Sequence, residues 1–72
     1  KLKLSKAFRK ERRRKGLTQI ETARVLRSSQ SRVAKIEAGD PSVSVDLLIR
    51  SLFALGTTSR ELGRLVASRE RA

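Results

Sequence analysis

Stop signals cut this chain into short stretches, and that division constrains its fold more than any other feature. Glycine falls at 16, 39 and 56, each closing a run whose apolar residues recur at helical spacing. Thr18, Ser29, Ser44 and Thr58 stand just before the runs that follow, where a hydroxyl caps a helix. Thr18 with Glu21, and Thr58 with Glu61, have the T-x-x-E spacing of a capping box. Five helices are predicted: about Leu4 to Lys15, Gln19 to Leu26, Gln30 to Ala38, Val45 to Leu55, and one from after Thr58 that frays over Arg69 to Ala72. Asp40-Pro41-Ser42 is turn chemistry, and strand-like alternation is confined to Ser42 through Val45. The expectation is an all-α, compact five-helix bundle, with residues 1–72 forming a single domain.

The apolar stripes name a candidate core. Leu4, Ala7 and Phe8 share one face of the first helix; Ile20, Ala23 and Leu26 are expected inward on the second. Val33 and Ile36 serve the third, Val45, Leu48, Leu52 and Leu55 the fourth, and Leu62, Leu65 and Val66 the fifth. Leu47 falls opposite the fourth helix's stripe and Phe53 at its edge. They are either lone exposed residues or, with the fifth helix, a partner surface. Gly63 costs about 1 kcal/mol relative to alanine inside a helix, which makes sense if another helix approaches closely there.

Eighteen Lys and Arg against seven Asp and Glu leave a net charge of +11 on 72 residues, which implies a polyanionic partner. There is no cysteine and no histidine. Disulfides, thiolate metal sites, Ser-His-Asp triads and the commonest general base are therefore excluded, and neither metal nor cofactor is expected. No glycine-rich phosphate loop is visible, and the carboxylates suit caps and ion pairs better than catalysis, so the chain reads as a binding protein and not an enzyme. The two aromatics, Phe8 and Phe53, are expected in the core. That favours duplex DNA over single strands, which are held on exposed aromatic platforms. The longest apolar run, Leu47-Leu48-Ile49, cannot span a bilayer, and no signal-peptide pattern is present. Lack of disulfides is compatible with the cytoplasm, the expected location. The start at Lys1 rather than Met reads as a piece of, or a processed form from, a longer chain.

Only about Arg27 and Ser28 join the second and third helices, so the pair must cross steeply. Such a pair can lay its second helix in the major groove while the first crosses the DNA backbone. The third helix then presents Ser29, Gln30, Ser31, Arg32 and Lys35 outward. Glutamine bonds bidentately to adenine, arginine and lysine read guanine, and serine contacts bases or phosphates. The competing interpretation is an ordinary solvated helix face, against which the tight turn, the two inward positions and the charge weigh together.

Thr18-Gln19-x-Glu21, Ala23, Ser29-Gln30-Ser31-Arg32-Val33 and Ile36-Glu37-x-Gly39 resemble the Xre/Cro, lambda-repressor-like helix-turn-helix family. Val45-Asp46-Leu47-Leu48 and Ala54-Leu55-Gly56 are similar to its fourth helix, so the likeness spans roughly Leu4 to Val66. The resemblance implies a homodimer on a near-palindromic duplex site. It implies base reading by Gln30, Ser31 and Lys35, with Arg32 beside them, and phosphate contact from Gln19. Backbone N–H groups around Asp40 to Ser44 and the start of the fourth helix are implied to hold phosphate, placing Ser42 and Ser44 with Ser29 among the phosphate contacts. Arg12 and Glu37 occupy positions implied to form a structural ion pair between the first and third helices. The sequence departs from the family at Thr22 and Ser28, usually aliphatic, and at Arg27, usually glycine. Arg27 matters if that position needs positive φ, and it is a further candidate for phosphate contact, set against a merely solvated side chain.

Arg12-Arg13-Arg14-Lys15 ends the first helix, where cations suit the helix dipole and add attraction for phosphate. Lys1, Lys3, Lys6 and Lys10 are either a flexible basic arm or an aid to solubility. Three functions follow. The first is a transcriptional regulator, a repressor, acting as a dimer. The second is an antitoxin that neutralises a partner toxin and represses its own operon. The third is charge-driven binding to RNA or a membrane surface.

Overall fold

The computed structural model describes the backbone of residues 2–71 and the side chains of 3–65 and 67. Five helices follow in order: α1 Leu2–Arg14, α2 Gln19–Leu26, α3 Gln30–Ala38, α4 Val45–Ala54 and α5 Ser59–Arg71. Among the described residues there is no strand. Lys3, Lys6 and Lys10 belong to α1, which corrects the flexible-arm alternative, while Lys1 lies outside the described residues. Leu55 is the cap of α4 and not its last turn. Val66 and the chain end at Arg69 to Ala72 lie outside the described side chains.

The same hydrogen-bond closure ends four helices. At the first, Leu17 N–H bonds Arg12 C=O at 3.1 Å and Gly16 N–H bonds Arg13 C=O at 3.0 Å. Ser28 and Arg27 repeat the pattern onto Ala23 at 2.8 Å and Arg24 at 3.1 Å, Asp40 and Gly39 onto Lys35 and Ile36, and Thr57 and Gly56 onto Leu52 and Phe53. This is the Schellman arrangement, which needs one left-handed residue. Gly16, Gly39 and Gly56 supply it at φ 69, 70 and 99°, and Arg27 supplies it at φ 53°. Arg27 is thus held where a side chain strains the backbone, because the closure between α2 and α3 places its one left-handed residue there.

Phe8, Val33, Ile36, Leu48 and Leu52 are fully buried where α1, α3 and α4 meet, with Leu4, Ala23, Val43 and Leu55 around them. Each large side chain of this kind contributes about 1.5–3 kcal/mol by leaving water. Helix α5 lies over the edge through Leu62 and Leu65. A Cβ at Gly63 would meet nothing within 4 Å, so no described part of this chain closes on it.

Four core assignments need correction. Ile20 is 53% exposed. It and Leu26 are six positions apart, about 120° around a helix, and α2 turns Thr22 and Ala23 inward instead. Val45 is exposed because Val43, two residues earlier in the loop, already fills that end of the core at 4% exposure. Phe53 is 44% exposed on the far side of α4 from Leu48 and Leu52. Leu47, expected to point away, packs against the core beside Leu26 and Ile36.

Candidate nucleic-acid interface

Capping geometry fixes where α2 and α3 begin. Thr18 Oγ1 accepts from Glu21 N–H at 3.1 Å while a Glu21 carboxylate oxygen accepts from Thr18 N–H at 2.9 Å. That backbone donor, then the Thr18 side chain, holds the Glu21 carboxyl below its ordinary pKa. Ser29 Oγ accepts from Arg32 N–H at 3.1 Å, and Ser44 Oγ accepts from Leu47 N–H at 3.1 Å. Both hydroxyls are therefore occupied as acceptors, and each keeps its own O–H to donate outward.

With the start of α3 fixed and Val33 and Ile36 fully buried, Gln30, Ser31, Arg32 and Lys35 are left exposed on one side of the helix. Ser29, Ser31, Arg32, Lys35 and Ser42 line one polar groove of about 220 Å³, floored by Val43 and Leu47. Val43, which the sequence placed in the strand-like stretch from Ser42 to Val45, forms no strand and is what draws the 40–44 segment against α3. Arg27 lies outside this groove, with Arg32 and Arg50 around a second depression over Leu26 and Leu47.

The 40–44 loop corrects one expectation. Asp40 N–H bonds Lys35 C=O at 3.1 Å, and Val43 N–H bonds Asp40 C=O at 3.0 Å. Ser42 N–H is taken by Asp40 Oδ1 at 2.8 Å. Pro41 has no N–H to give. The loop closes on itself and does not present a row of free amides.

Behind the exposed face runs a part-buried polar network that reaches the surface at Gln30. Arg12 meets Glu37 with two nitrogens: Nε pairs with Oε2, and Nη2 donates to Oε1 at 3.1 Å. Arg12 Nη1 donates to Leu17 C=O at 2.8 Å. The side chains are only 13% and 6% exposed. Gln19 Nε2 donates to Glu37 Oε1 at 3.4 Å, and Gln30 Nε2 donates to Gln19 Oε1 at 3.4 Å. Arg9 Nε stands 4.0 Å from Glu37 Oε1. Sequence reasoning did not single out Arg9, although its place three residues before Arg12 puts both on neighbouring helix positions. It also missed Glu11, which is buried and paired with Arg14. No helix of the described residues is long and apolar enough to cross a membrane.

A family model described as helix-turn-helix matches residues 6–62. No curated protein and no solved structure gives a significant match. The matched span runs from α1 through the first turn of α5 and holds the α2–α3 pair at its centre. The chain therefore belongs to the helix-turn-helix family of Xre, lambda-repressor-like DNA-binding transcription regulators.

Proposed function

We propose that this chain binds a specific duplex DNA sequence as a homodimeric repressor, with α3 in the major groove. One observation carries the reading. Helix α3 is anchored by fully buried Val33 and Ile36, while Gln30, Ser31, Arg32 and Lys35 face solvent beside one polar groove. An anchored helix with a free polar face suits base reading, since its side chains are presented at fixed depth. Gln30, Ser31 and Lys35 read base edges, with Arg32 at the margin of the groove. Gln19, Ser29, Ser42 and Ser44 hold phosphates through an amide or hydroxyl, and Arg27 adds a guanidinium from the turn. The homodimer follows from the resemblance to the Xre, lambda-repressor-like family and not from any one exposed apolar residue.

Fluorescence anisotropy with a labelled duplex from upstream of the gene, competed by a scrambled duplex at about 0.15 M salt, tests this. The expected preference is roughly a thousandfold or more. Gln30→Ala and Lys35→Ala each erode the preference, whereas Ser42→Ala weakens both duplexes alike. Equal binding to both duplexes would leave only a basic surface and end the reading.

A further inference from the structure

Helix α1 carries a charged face that the recognition of one half-site does not use. Lys6, Arg9, Lys10 and Arg13 are spaced i, i+3, i+4 and i+7, and all are exposed. They lie opposite Leu4 and Phe8, which anchor the helix in the core, and together they line one shallow depression. Among the described residues Lys6, Lys10 and Arg13 make no ion pair, and Arg9 reaches only Glu37. Like charges at i, i+4 oppose helix formation, and Lys6 with Lys10 and Arg9 with Arg13 repeat that arrangement on one helix. Solubility alone is served as well by mixed charges, so a stripe of one sign calls for an external anion.

Its position indicates which anion. Arg9 touches Glu37, Glu37 holds Gln19, and Gln19 bonds Gln30 at the start of α3. The stripe thus begins at the edge of the DNA-reading unit. From Lys6 to Arg13 it extends about 10 Å along the helix axis, at 1.5 Å per residue. Successive phosphates of a strand rise about 3.4 Å along the axis but also wind around it, so a stripe of this length reaches about two of them.

We propose that the α1 stripe is a second track for the DNA backbone, binding phosphates that flank the half-site read by α3. This rests on the DNA-binding reading above. The test measures affinity of the whole chain for the upstream duplex between about 50 and 200 mM salt. Lys6→Gln combined with Lys10→Gln is compared with Arg60→Gln combined with Arg64→Gln, which removes equal charge from exposed positions on α5. Two lost phosphate contacts lower the log–log salt slope by about 1.8, so over that range the α1 variant loses roughly twelvefold less affinity than the parent. The α5 variant keeps the parental slope, and on a duplex trimmed to the half-sites the α1 variant matches the parent. An unchanged slope in the α1 variant, or an equal fall in the α5 variant, overturns the proposal while leaving specific recognition intact. A parent chain that does not discriminate native from scrambled duplex overturns both readings.

Discussion

Gln19 of α2 and Glu37 of α3 meet at a single carboxylate oxygen: Gln19 Nε2 stands 3.4 Å from Oε1 of Glu37. That oxygen also accepts from Arg12 Nη2 at 3.1 Å. Residues from three helices therefore converge on one acid, and the side chain at the start of α2 is oriented by the same group that ties α3 to α1. A shift of Glu37 would be felt at the reading face through Gln19 and its bond to Gln30.

Replacing Glu37 by glutamine should leave the Arg12 guanidinium buried without its counter-charge. Only the Leu17 carbonyl would still hold it strongly. Breaking one side of a buried pair costs about 3 kcal/mol or more, against under about 1 kcal/mol for an exposed pair. Urea denaturation monitored by circular dichroism should show the midpoint fall with the m-value unchanged. A variant as stable as the parent would mean that the pair is effectively solvated.

Thr22 is fully buried, and its hydroxyl has no hydrogen-bond partner. Valine has nearly the same shape and removes the orphaned group. Thr22→Val should stabilise the fold by about 1–2 kcal/mol, since an unsatisfied buried hydroxyl carries its full desolvation penalty. Thermal melting should rise by about 4–8 °C for each kcal/mol in a domain of this size. DNA affinity should not change.

Arg27 is the one non-glycine residue at positive φ among those described. Arg27→Gly should relieve the left-handed strain and raise stability by up to about 1 kcal/mol, part of the relief being offset by the greater freedom of glycine in the unfolded chain. If the guanidinium holds a phosphate, the salt slope of DNA binding should fall by about 0.9 at the same time. Stability and affinity moving in opposite directions would mark a strained residue kept for binding. A rise in stability with unchanged affinity would assign Arg27 to solvent.

Acid should loosen the starts of α2 and α5. Glu21 and Glu61 both have carboxyl pKa values lowered, first by the N–H of Thr18 or Thr58 and then by its side chain. A depressed folded value means that the stabilisation is fully present above the unfolded value, about 4.3, and is lost as pH falls through the lower folded one. Stability measured from pH 6 down to pH 3 should therefore decline, and Glu21→Gln with Glu61→Gln, which removes both titrating carboxyls, should flatten that part of the curve. An identical profile in the double variant would show that other carboxylates set the acid limb.

Helix limits were legible because they depend on neighbours in the chain. Thr18 with Glu21, Ser29, Ser44 and the glycines at 16, 39 and 56 act through bonds within a few residues, so spacing alone predicts α2 and α3 at their observed limits. The outward set on α3 was legible too, since a helix that must bury Val33 and Ile36 leaves Gln30, Ser31 and Lys35 on the other side.

Tertiary packing decided the rest. Which of two apolar residues is buried depends on what already occupies the space: Val43 displaces Val45, and α2 turns Thr22 inward in place of Ile20. The Arg12–Glu37 pair was implied by the family resemblance, but the attachment of Gln19 and Gln30 to it joins residues 11 to 18 positions apart, a distance over which helical periodicity carries no information. Whether Asp40, Ser42 and Val43 offer their N–H groups or spend them on the chain itself depended on how the loop closes once Val43 is drawn into the core. Local hydrogen bonds write helices into a sequence, whereas competition for a shared interior is resolved only when all five helices are present at once.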